Sequence, residues 1–276
     1  MHVAFGDFES WEKKIRPDLD ARFDVSFVNL GRTPLEDFDA IIPLQLRHYR
    51  VLARYPELRG VKFFHPSRAA VSLCDDKLKL AEFLAGEGFA QYVPVRRSPR
   101  LPYPYIWKKR RGWWGMHAHI VNGPDDERNL KLNDKNWFAQ TLVPGSVEFA
   151  THFLRVDGEI RYVSTVTHQM AAPAFVNGVQ DAPLHSSFQR GCEFLEIFSA
   201  MLDRLEFEGT ACIDYKVVDG KPVVFEINPR FGGSLCGDIN AYLDAYLGAL
   251  KPQTRRPSLL TTLMRTSRRV LARLFP

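Results

Sequence analysis

Two apolar stretches late in the chain flank the dipeptide Asp219-Gly220, and this pattern constrains the fold more than any other feature of the sequence. Asp-Gly between apolar runs favours a tight turn, so the two stretches are predicted to pair as an antiparallel hairpin. That pairing would bring Asp214 near Glu226 and Asn228. Because side chains alternate between the faces of a strand, Glu226 and Asn228 share one face. The sequence therefore predicts two carboxylates and an amide side by side.

These three side chains offer oxygen ligands. Carboxylate and amide oxygens are hard ligands, which suit Mg2+ better than zinc. Mg2+ usually keeps several waters and takes its remaining ligands from substrate phosphates. Asp214, Glu226 and Asn228 are therefore predicted metal ligands for Mg2+, with Mn2+ as an alternative ion. The other reading of the same residues is a surface hairpin with ordinary solvated acids.

The second strand runs into the motif EINPRFGG at residues 226–233. This motif, together with Asp214, resembles the metal-binding end of the ATP-grasp superfamily, and it looks closest to the carbamoyl-phosphate-synthase-like branch. Most enzymes of that superfamily are carboxylate–amine or carboxylate–thiol ligases. The resemblance implies an α/β chain (the α+β ATP-grasp fold) that binds ATP and Mg2+. It also implies that Arg230 is a catalytic residue, which stabilises negative charge on the transferred phosphoryl group or the acyl phosphate.

The resemblance covers nearly the whole chain to about residue 250 and implies four regions. These are a short Rossmann-like N-terminal lobe (1–72), ATP-grasp subdomain A (73–140), ATP-grasp subdomain B with the metal hairpin (141–250) and a basic amphipathic tail (251–276). In the first region, apolar runs that include residues 3–5, 23–28, 38–44 and 61–64 alternate with helical patterns, which predicts a small parallel sheet. This lobe lacks a GxGxxG motif, so no dinucleotide is assigned to it.

Two lysines are assigned to the ATP phosphates by the resemblance. Lys77 lies at the start of a helix that is predicted from an apolar stripe, with Asp75 or Asp76 as its cap. Lys108 lies on a predicted strand that leads into a loop, where the family has a lysine before a Gly/Ser-rich loop. Its ammonium would sit against the phosphates as a point charge, and we also assign it a catalytic role. Taken alone, Lys77 would be read as a solvated lysine at a helix terminus.

The loop after Lys108 departs from the family pattern. Lys109 stands where the family usually has proline, and Trp113 and Trp114 replace small residues. The two indoles could shield the phosphates from water or contact the acceptor; the alternative is that they pack between lobes. His117 and His119 could face one way and bind a metal, but without a third ligand a structural pair is the favoured interpretation.

Residues 137–149 resemble the connection between the two ATP-grasp subdomains. Carried over by position, Gln140, Leu142 and Val143 line the adenine pocket and Glu148 binds the ribose hydroxyls. A carboxylate suits that task because it accepts hydrogen bonds from vicinal hydroxyls. The family often has glutamate at the position of Gln140. An ordinary strand–turn–strand at Pro144-Gly145 is the alternative for this segment.

Paired strands are predicted for residues 149–154 and 158–168, and three of their cationic side chains are candidate partners for an anion in a cleft. These are Arg155, Arg161 and His168; the alternative is that they are solvated. Some family members carry arginine two residues before the first metal-binding aspartate, where this chain has Cys212. Arg230, Arg155 or Arg161 would have to supply that charge. Residues 171–187 are predicted to form a loop that acts as a lid, and residues 188–206 a helix.

The charge of the chain is unevenly distributed. The net charge is +5, but residues 251–276 contain seven Lys or Arg and no acids; removing those seven from 37 leaves 30 basic against 32 acidic residues. Residues 1–250 therefore carry a small net negative charge, which gives no reason to expect nucleic-acid binding. The tail has the apolar stripe and basic complement of an interfacial helix, so residues 257–276 are a candidate for peripheral membrane contact. A tail helix docked on the protein, or a disordered end, is the alternative.

The remaining composition favours a cytoplasmic protein, with the inner face of a membrane as a second location. The four cysteines are far apart, which is typical of reduced thiols, and no apolar run reaches the ~20 residues that cross a bilayer. The N-terminus lacks the pattern of a signal peptide.

The resemblance implies an ATP-dependent, C–N bond-forming ligase that joins a small-molecule carboxylate and an amine through an acyl phosphate. Three alternatives stay open: a kinase on the same fold, a nucleotide-binding module without turnover, and a membrane-bound interaction protein centred on the tail. The substrates and the oligomeric state are not determined by the sequence.

Overall fold

A computed structural model describes residues 1–96, 101–112, 114–178 and 180–250. Its strands are β1 (His2–Gly6), β2 (Asp24–Val28), β3 (Ala40–Ile42), β4 (Tyr105–Lys109), β5 (Ala118–Val121), β6 (Trp137–Thr141), β7 (Val147–Val156), β8 (Glu159–Gln169), β9 (His185–Arg190), β10 (Gly209–Val218) and β11 (Lys221–Asn228). Its α-helices are α1 (Glu9–Ile15), α2 (Leu46–Leu52), α3 (Arg68–Cys74), α4 (Lys77–Leu84), α5 (Pro124–Glu127), α6 (Leu195–Arg204) and α7 (Ile239–Ala249). The strands form three sheets, with orders β2-β1-β3, β5-β4-β6 and β11-β10-β7-β8-β9.

The first sheet is parallel and buried on both faces, as the alternation of strands and helices predicts. Val3 and Phe5 of β1 pack into one apolar cluster and Ala4 packs into another. The strand predicted at residues 61–64 is not formed. Instead, Phe63 makes an isolated bridge, and the Lys62 ammonium donates hydrogen bonds to main-chain carbonyls of the segment before β3. The side chain of this buried lysine therefore ties the irregular segment around Phe63 to the residues before β3.

The helix that carries Lys77 forms as predicted. Asp76 caps α4 by accepting a hydrogen bond from the Lys79 main-chain N–H (3.2 Å), so Asp76 rather than Asp75 is the cap. The irregular turn after α4 contains Gly88 with φ of 93°, a left-handed conformation that glycine adopts without strain. The predicted strand at Lys108 is β4, the centre of the antiparallel second sheet.

The third sheet is antiparallel and contains both predicted hairpins. The turn between β10 and β11 has positive φ at Asp219 (50°) and Gly220 (71°), as a tight hairpin turn requires. One face of the sheet packs against α6 through Phe198, Met201 and Leu202. The helix predicted for residues 188–206 is shorter than expected. Residues 185–190 form β9 beside β8, because their backbone groups complete the edge of this sheet, and α6 begins only at Leu195.

Helix α7 joins the first and third sheets in one core. The Tyr246 hydroxyl donates to the carbonyl of Ile41 (2.8 Å) and accepts from the main-chain N–H of Phe64 (2.8 Å). The Tyr242 hydroxyl lies 2.6 Å from the hydroxyl of Thr210 on β10. The domain boundaries drawn from the sequence stay a prediction.

None of the helices within the described residues is both long and apolar enough to span a bilayer. The tail predicted to contact a membrane, and Trp113, lie outside the described residues.

Candidate active site

The β10–β11 hairpin brings the three predicted metal ligands together. Asp214 is directly opposite Glu226 in the ladder, and Asn228 follows two residues later on the same face. The Asn228 side-chain amide donates to Asp214 Oδ2 (2.8 Å) and to Glu226 Oε1 (3.0 Å). One amide therefore links two carboxylates whose positions are set by strand register.

The two carboxylates are held in different charge states by their surroundings. Withdrawal from water and the nearby charge of Glu226 raise the pKa of Asp214 well above its usual range. Withdrawal from water would also raise the pKa of Glu226, but the ammonium groups of Lys77 and Lys108 and the hydrogen bond from Asn228 together outweigh it and lower that pKa to about 2. The negative charge of Glu226 thus opposes ionisation of Asp214, and a divalent cation bound between them would relieve that repulsion. This donor set fits Mg2+.

Lys77 lies between the hairpin and the loop that follows β4. Its Nζ is 2.9 Å from Glu226 Oε2 and donates to the carbonyl of Gly112 (2.7 Å). Its main-chain N–H donates to the carbonyl of Arg110 (2.9 Å). The start of α4 is therefore tied to the loop through both the backbone and the side chain of one residue.

Lys108 projects from β4 toward the same space and is only 8 % exposed. Its Nζ lies 5.4 Å from the centre of the Phe138 ring. Burial and the neighbouring charge of Lys77 lower the pKa of Lys108 to about 7. The carboxylates of Glu226, Glu148 and Asp214 partly oppose this lowering, but none of them forms an ion pair with Lys108 within the described residues, so an anionic ligand would favour its charged form.

A cavity of about 410 Å³ unites these groups. That size falls within the range of about 300–1,000 Å³ that is typical of small-molecule sites. Every residue that the sequence assigned to ATP, metal or catalysis lines it: Lys77, Lys108, Gln140, Leu142, Val143, Glu148, Asp214, Glu226, Asn228 and Arg230.

The end of the cavity away from the hairpin is formed by the connection between β6 and β7. Gln140 is buried at 3 % exposure, and Glu148 accepts a hydrogen bond from the side-chain amide of Asn177 (2.7 Å). Burial raises the pKa of Glu148. Lys216 donates to the carbonyl of Val143 (3.0 Å), and burial lowers its pKa to about 8. Lys216 was not predicted as a site residue, although it lies two residues after Asp214 on the same strand and so on the same face.

Two loops cover the cavity and contact each other. The Gln180 side-chain amide donates to the carbonyls of Gly115 and Ala118, both at 2.7 Å. A Cβ atom on Gly115, which has φ of 63°, would stand 2.6 Å from the carbonyl oxygen of Asn177, so the backbones approach too closely for any other residue. The predicted lid thus lies on the loop after β4. It ends where β9 begins at His185, so it is slightly shorter than predicted.

Two of the predicted anion partners do not reach the cavity. Arg155 turns toward α6, where it donates to the carbonyls of Phe207 (2.7 Å) and Leu202 and pairs with Asp203. The carbonyls at the end of a helix attract a cation, which explains this orientation. Arg161 is exposed and pairs with Glu159 (2.8 Å).

Arg230 and His168 do line the cavity. The Arg230 guanidinium donates to Asn228 Oδ1 (3.0 Å) and to the carbonyl of Phe231 (2.7 Å). Of the three arginines that could replace the one absent at Cys212, only Arg230 is placed to do so. His117 and His119 both contact the ring of Trp137, as a structural pair would. The described ranges contain no cluster of three or more His, Cys, Asp or Glu side chains that could hold a metal.

Comparisons with known proteins agree with this architecture. A family model described as an ATP-grasp domain matches residues 74–234, which is more than half of the chain. No curated protein matches the sequence. The structure is similar to D-alanine–D-alanine ligase from Bacillus anthracis, with a TM-score of 0.59 and 15% identity over 90% of this chain and 97% of that one. The ATP complex of the same ligase gives a TM-score of 0.57 and 16% identity over 90% and 96% of the two chains.

A second similar structure is the L-amino acid ligase from Bacillus licheniformis. The TM-score is 0.61, with 17% identity over 91% of this chain and 74% of that one. Identities this low show a common fold and nothing more specific. They confirm the fold class predicted from the sequence.

Proposed function

The chain belongs to the ATP-grasp family, and from that premise we propose that it is an ATP-dependent carboxylate–amine ligase. In this reaction a substrate carboxylate oxygen attacks the γ-phosphorus of ATP, which gives an acyl phosphate and ADP. An amine then attacks the carbonyl carbon, loses a proton and expels phosphate, and an amide remains. The observation that supports the proposal is a cavity lined together by Lys77, Lys108 and Arg230, which we assign to the phosphates, and by the carboxylate pair of Asp214 and Glu226.

The phosphate end of the proposed site is built from cations on three different elements. Lys77 from α4, Lys108 from β4 and Arg230 after β11 would hold the phosphates and the charge that develops on the transferred group. Asp214, Glu226 and Asn228 would hold Mg2+, which supplies charge neutralisation at the phosphates. Because strands β4, β10 and β11 fix Lys108 and the three metal ligands, little reorganisation of these groups is needed as charge moves, which favours catalysis by positioning.

The residues proposed to bind the adenosine part of ATP lie on β6, on β7 and in the connection between these strands. Gln140, Leu142 and Val143 would contact the adenine, and Glu148 would accept hydrogen bonds from the ribose hydroxyls. In the ligand-free protein Glu148 accepts instead from Asn177. Nucleotide binding is therefore expected to exchange that contact for one with the ribose.

No nucleophile on the protein is needed, because the activated intermediate is carried by the substrate. Cys212 lines the cavity, but burial and the charge of Asp214 raise its pKa well above the usual range. It therefore stays a thiol at neutral pH and is a poor nucleophile.

The test measures ADP and phosphate release from MgATP against pools of small carboxylates and amines. Wild type is compared with Asp214→Asn and Glu226→Gln, and Asp219→Asn at the exposed tip of the same hairpin is the matched control. We expect release that needs both a carboxylate and an amine, a loss of about 100-fold or more in the first two variants, and no loss in the control.

Two outcomes would contradict the proposal. Formation of ADP without phosphate release would indicate a kinase that makes a stable phosphoester. Tight MgATP binding without turnover in any pool would indicate a binding module.

A further inference from the structure

His152 and Ser234 form a hydrogen-bonded pair at the hairpin end of the cavity. His152 lies on β7 and is fully buried, and its Nε2 is 2.8 Å from Ser234 Oγ. Ser234 is half-buried and lines the cavity. The other ring nitrogen, Nδ1, has no hydrogen-bond partner among the described residues. A fully buried polar side chain therefore contacts a cavity hydroxyl through one nitrogen only.

The backbone of Gly232 explains why Nδ1 has no partner. A Cβ atom at this position would stand 2.8 Å from Nδ1 and would also collide with the adjacent ring carbon. The imidazole is thus packed directly against the glycine backbone, and Nδ1 is buried there without a hydrogen-bond partner among the described residues.

The tautomer of His152 follows from this contact. A neutral imidazole has one N–H donor and one lone pair. A proton on Nδ1 would be a buried donor without an acceptor, which is rarer in proteins than an unused acceptor. The proton therefore belongs on Nε2, which donates to Ser234 Oγ. Burial keeps the ring neutral, since it lowers the pKa of His152 to about 3.

We propose that His152 fixes the direction of the Ser234 hydroxyl, so that Ser234 donates its hydrogen into the cavity and binds an oxyanion of a substrate. His152 is a positioning residue in this arrangement, and Ser234 is the residue that touches the ligand. The opposite tautomer would leave Ser234 Oγ as the acceptor toward the ligand, which would suit an amine instead.

The charge of the cavity that Ser234 lines agrees with an oxyanion. Six lysine or arginine side chains and three carboxylates line the cavity. Lys14, from α1 of the first lobe, is one of the six and makes no ion pair within the described residues. An oxyanion at this end would be either a carboxylate of a substrate or a phosphoryl oxygen; the hydroxyl serves both in the same way.

The first test determines the tautomer in the ligand-free protein. Long-range proton–nitrogen correlation on 15N-histidine protein distinguishes N–H from lone-pair nitrogens, and His152→Gln assigns the signals. His48 is an internal reference: its Nδ1 accepts from the main-chain N–H groups of Leu44 (3.1 Å) and Gln45 (3.2 Å), so its proton is on Nε2. We expect the same pattern for His152. A proton on Nδ1 of His152, or a charged ring at neutral pH, would overturn the proposal.

The second test uses steady-state kinetics and rests on the proposed ligase function. Ser234→Ala is expected to raise one KM about tenfold with a smaller change in kcat, since a hydrogen bond to a charged group is lost. A rise in the KM of the carboxylate substrate identifies a carboxylate, and a rise in the KM of ATP identifies a phosphoryl oxygen. The exposed Ser187→Ala on β9 is the matched control. Unchanged KM values for both would overturn the proposal.

A pair of variants separates positioning from packing. His152→Phe keeps a ring but removes the donor, and His152→Gln keeps a side-chain N–H. We expect Phe to raise the same KM as Ser234→Ala and Gln to restore most of the affinity. Equal losses in both variants, in parallel with thermal stability, would show that His152 acts through packing only. If no pool gives turnover, the ligase proposal fails, whereas the hydroxyl direction is still decided by the tautomer measurement.

Discussion

The cavity has two walls that are built in different ways. The strand wall consists of Asp214, Glu226 and Asn228 on β10 and β11, and the loop wall consists of residues 110–112, 114–117, 171–178 and 180–184. Ladder register places the side chains of the strand wall. A few side-chain contacts, such as the two hydrogen bonds donated by Gln180, hold the two segments of the loop wall together. Local opening is cheapest where few buried contacts must break. We therefore expect the loop wall to open for ligand exchange while the strand wall stays formed.

Gly232→Ala tests the rigidity of the strand wall at the turn after β11, where Gly232 packs against His152 of β7 and Cys212 of β10, and it should have the largest effect. Gly232 has φ of −102°, which alanine adopts freely, so only packing opposes the change. The added Cβ would meet the buried His152 ring and stand 3.1 Å from Cys212 Cβ. Since neither neighbour has room to move, we expect a loss of about 3 kcal/mol in the free energy of unfolding. Denaturant unfolding measures it.

Gly237→Ala is the control for that loss. Nothing lies within 4 Å of a Cβ at Gly237, so its stability should change by no more than about 0.5 kcal/mol. A Gly232→Ala protein as stable as this control would show that the strand wall adjusts as readily as the loop wall.

Arg155 and Arg230 sharpen the comparison, because both were candidates for the same anion. Arg155 bonds to Phe207 and Asp203 beside α6, so Arg155→Met should lose about 2 kcal/mol of stability and keep its KM values. Arg230 lines the cavity, so Arg230→Met should lose turnover with little change in unfolding. Thermal unfolding and ADP release are measured on both. A change of KM in Arg155→Met would mean that the contacts of Arg155 beside α6 affect substrate binding in the cavity.

The sequence predicted the strand wall well and the loop wall poorly, for a physical reason. Asp219-Gly220 predicts the hairpin, but a regular ladder counted from that turn would place Asp214 opposite Phe225. A register shift between Asp214 and Tyr215 places Asp214 opposite Glu226 instead. Lys216 could have been found from the alternation of side chains along β10. The contact of Gln180 with Gly115 joins residues far apart in the chain through irregular backbone, for which no periodicity exists.

The orientation of Arg155 and the participation of Lys14 depended on how separate elements pack. Arg155 follows a register shift at Leu154 and turns to the end of α6. Lys14 reaches the cavity because α1 docks near α7 and the turn after β11. Neither arrangement leaves a local signal in sequence, since each is decided by tertiary contacts.

The pH dependence of stability tests Lys108, which lies on β4 beneath the loop wall. Burial and the charge of Lys77 lower its pKa to about 7, so between pH 7 and the ordinary lysine range the unfolded chain binds a proton that the folded chain lacks. Stability should therefore rise with pH through this window, and below pH 7 the cost of the buried charge is present in full. Lys108→Met should flatten the curve of unfolding free energy against pH.

Nucleotide binding should reverse the protonation of Lys108. Phosphates would favour its charged form, so Lys108 should contribute an uptake of as much as ~1 proton when MgATP binds at pH 8. Calorimetry in two buffers with different ionisation heats measures this uptake. Mg2+ bound at Asp214, whose pKa is raised, would release any proton held there, so the test is the difference between the two proteins: net uptake should be lower in Lys108→Met than in wild type. Equal proton uptake in wild type and Lys108→Met would contradict the proposal that Lys108 binds the ATP phosphates.

Gln180→Ala should have the smallest effect and decides whether the loop wall opens independently. The variant loses two hydrogen bonds at the surface, so the free energy of opening should fall by about 1 kcal/mol, roughly a fivefold change in the open fraction. Hydrogen exchange of residues 171–184 should accelerate by that factor, and the KM of ATP should rise a few-fold. Exchange of β10 and β11 should stay unchanged, as should all of these values in Gln189→Ala, an exposed glutamine on β9. Equal acceleration in the hairpin would mean that the two walls open together, because a contact in the loops would then stabilise the strands.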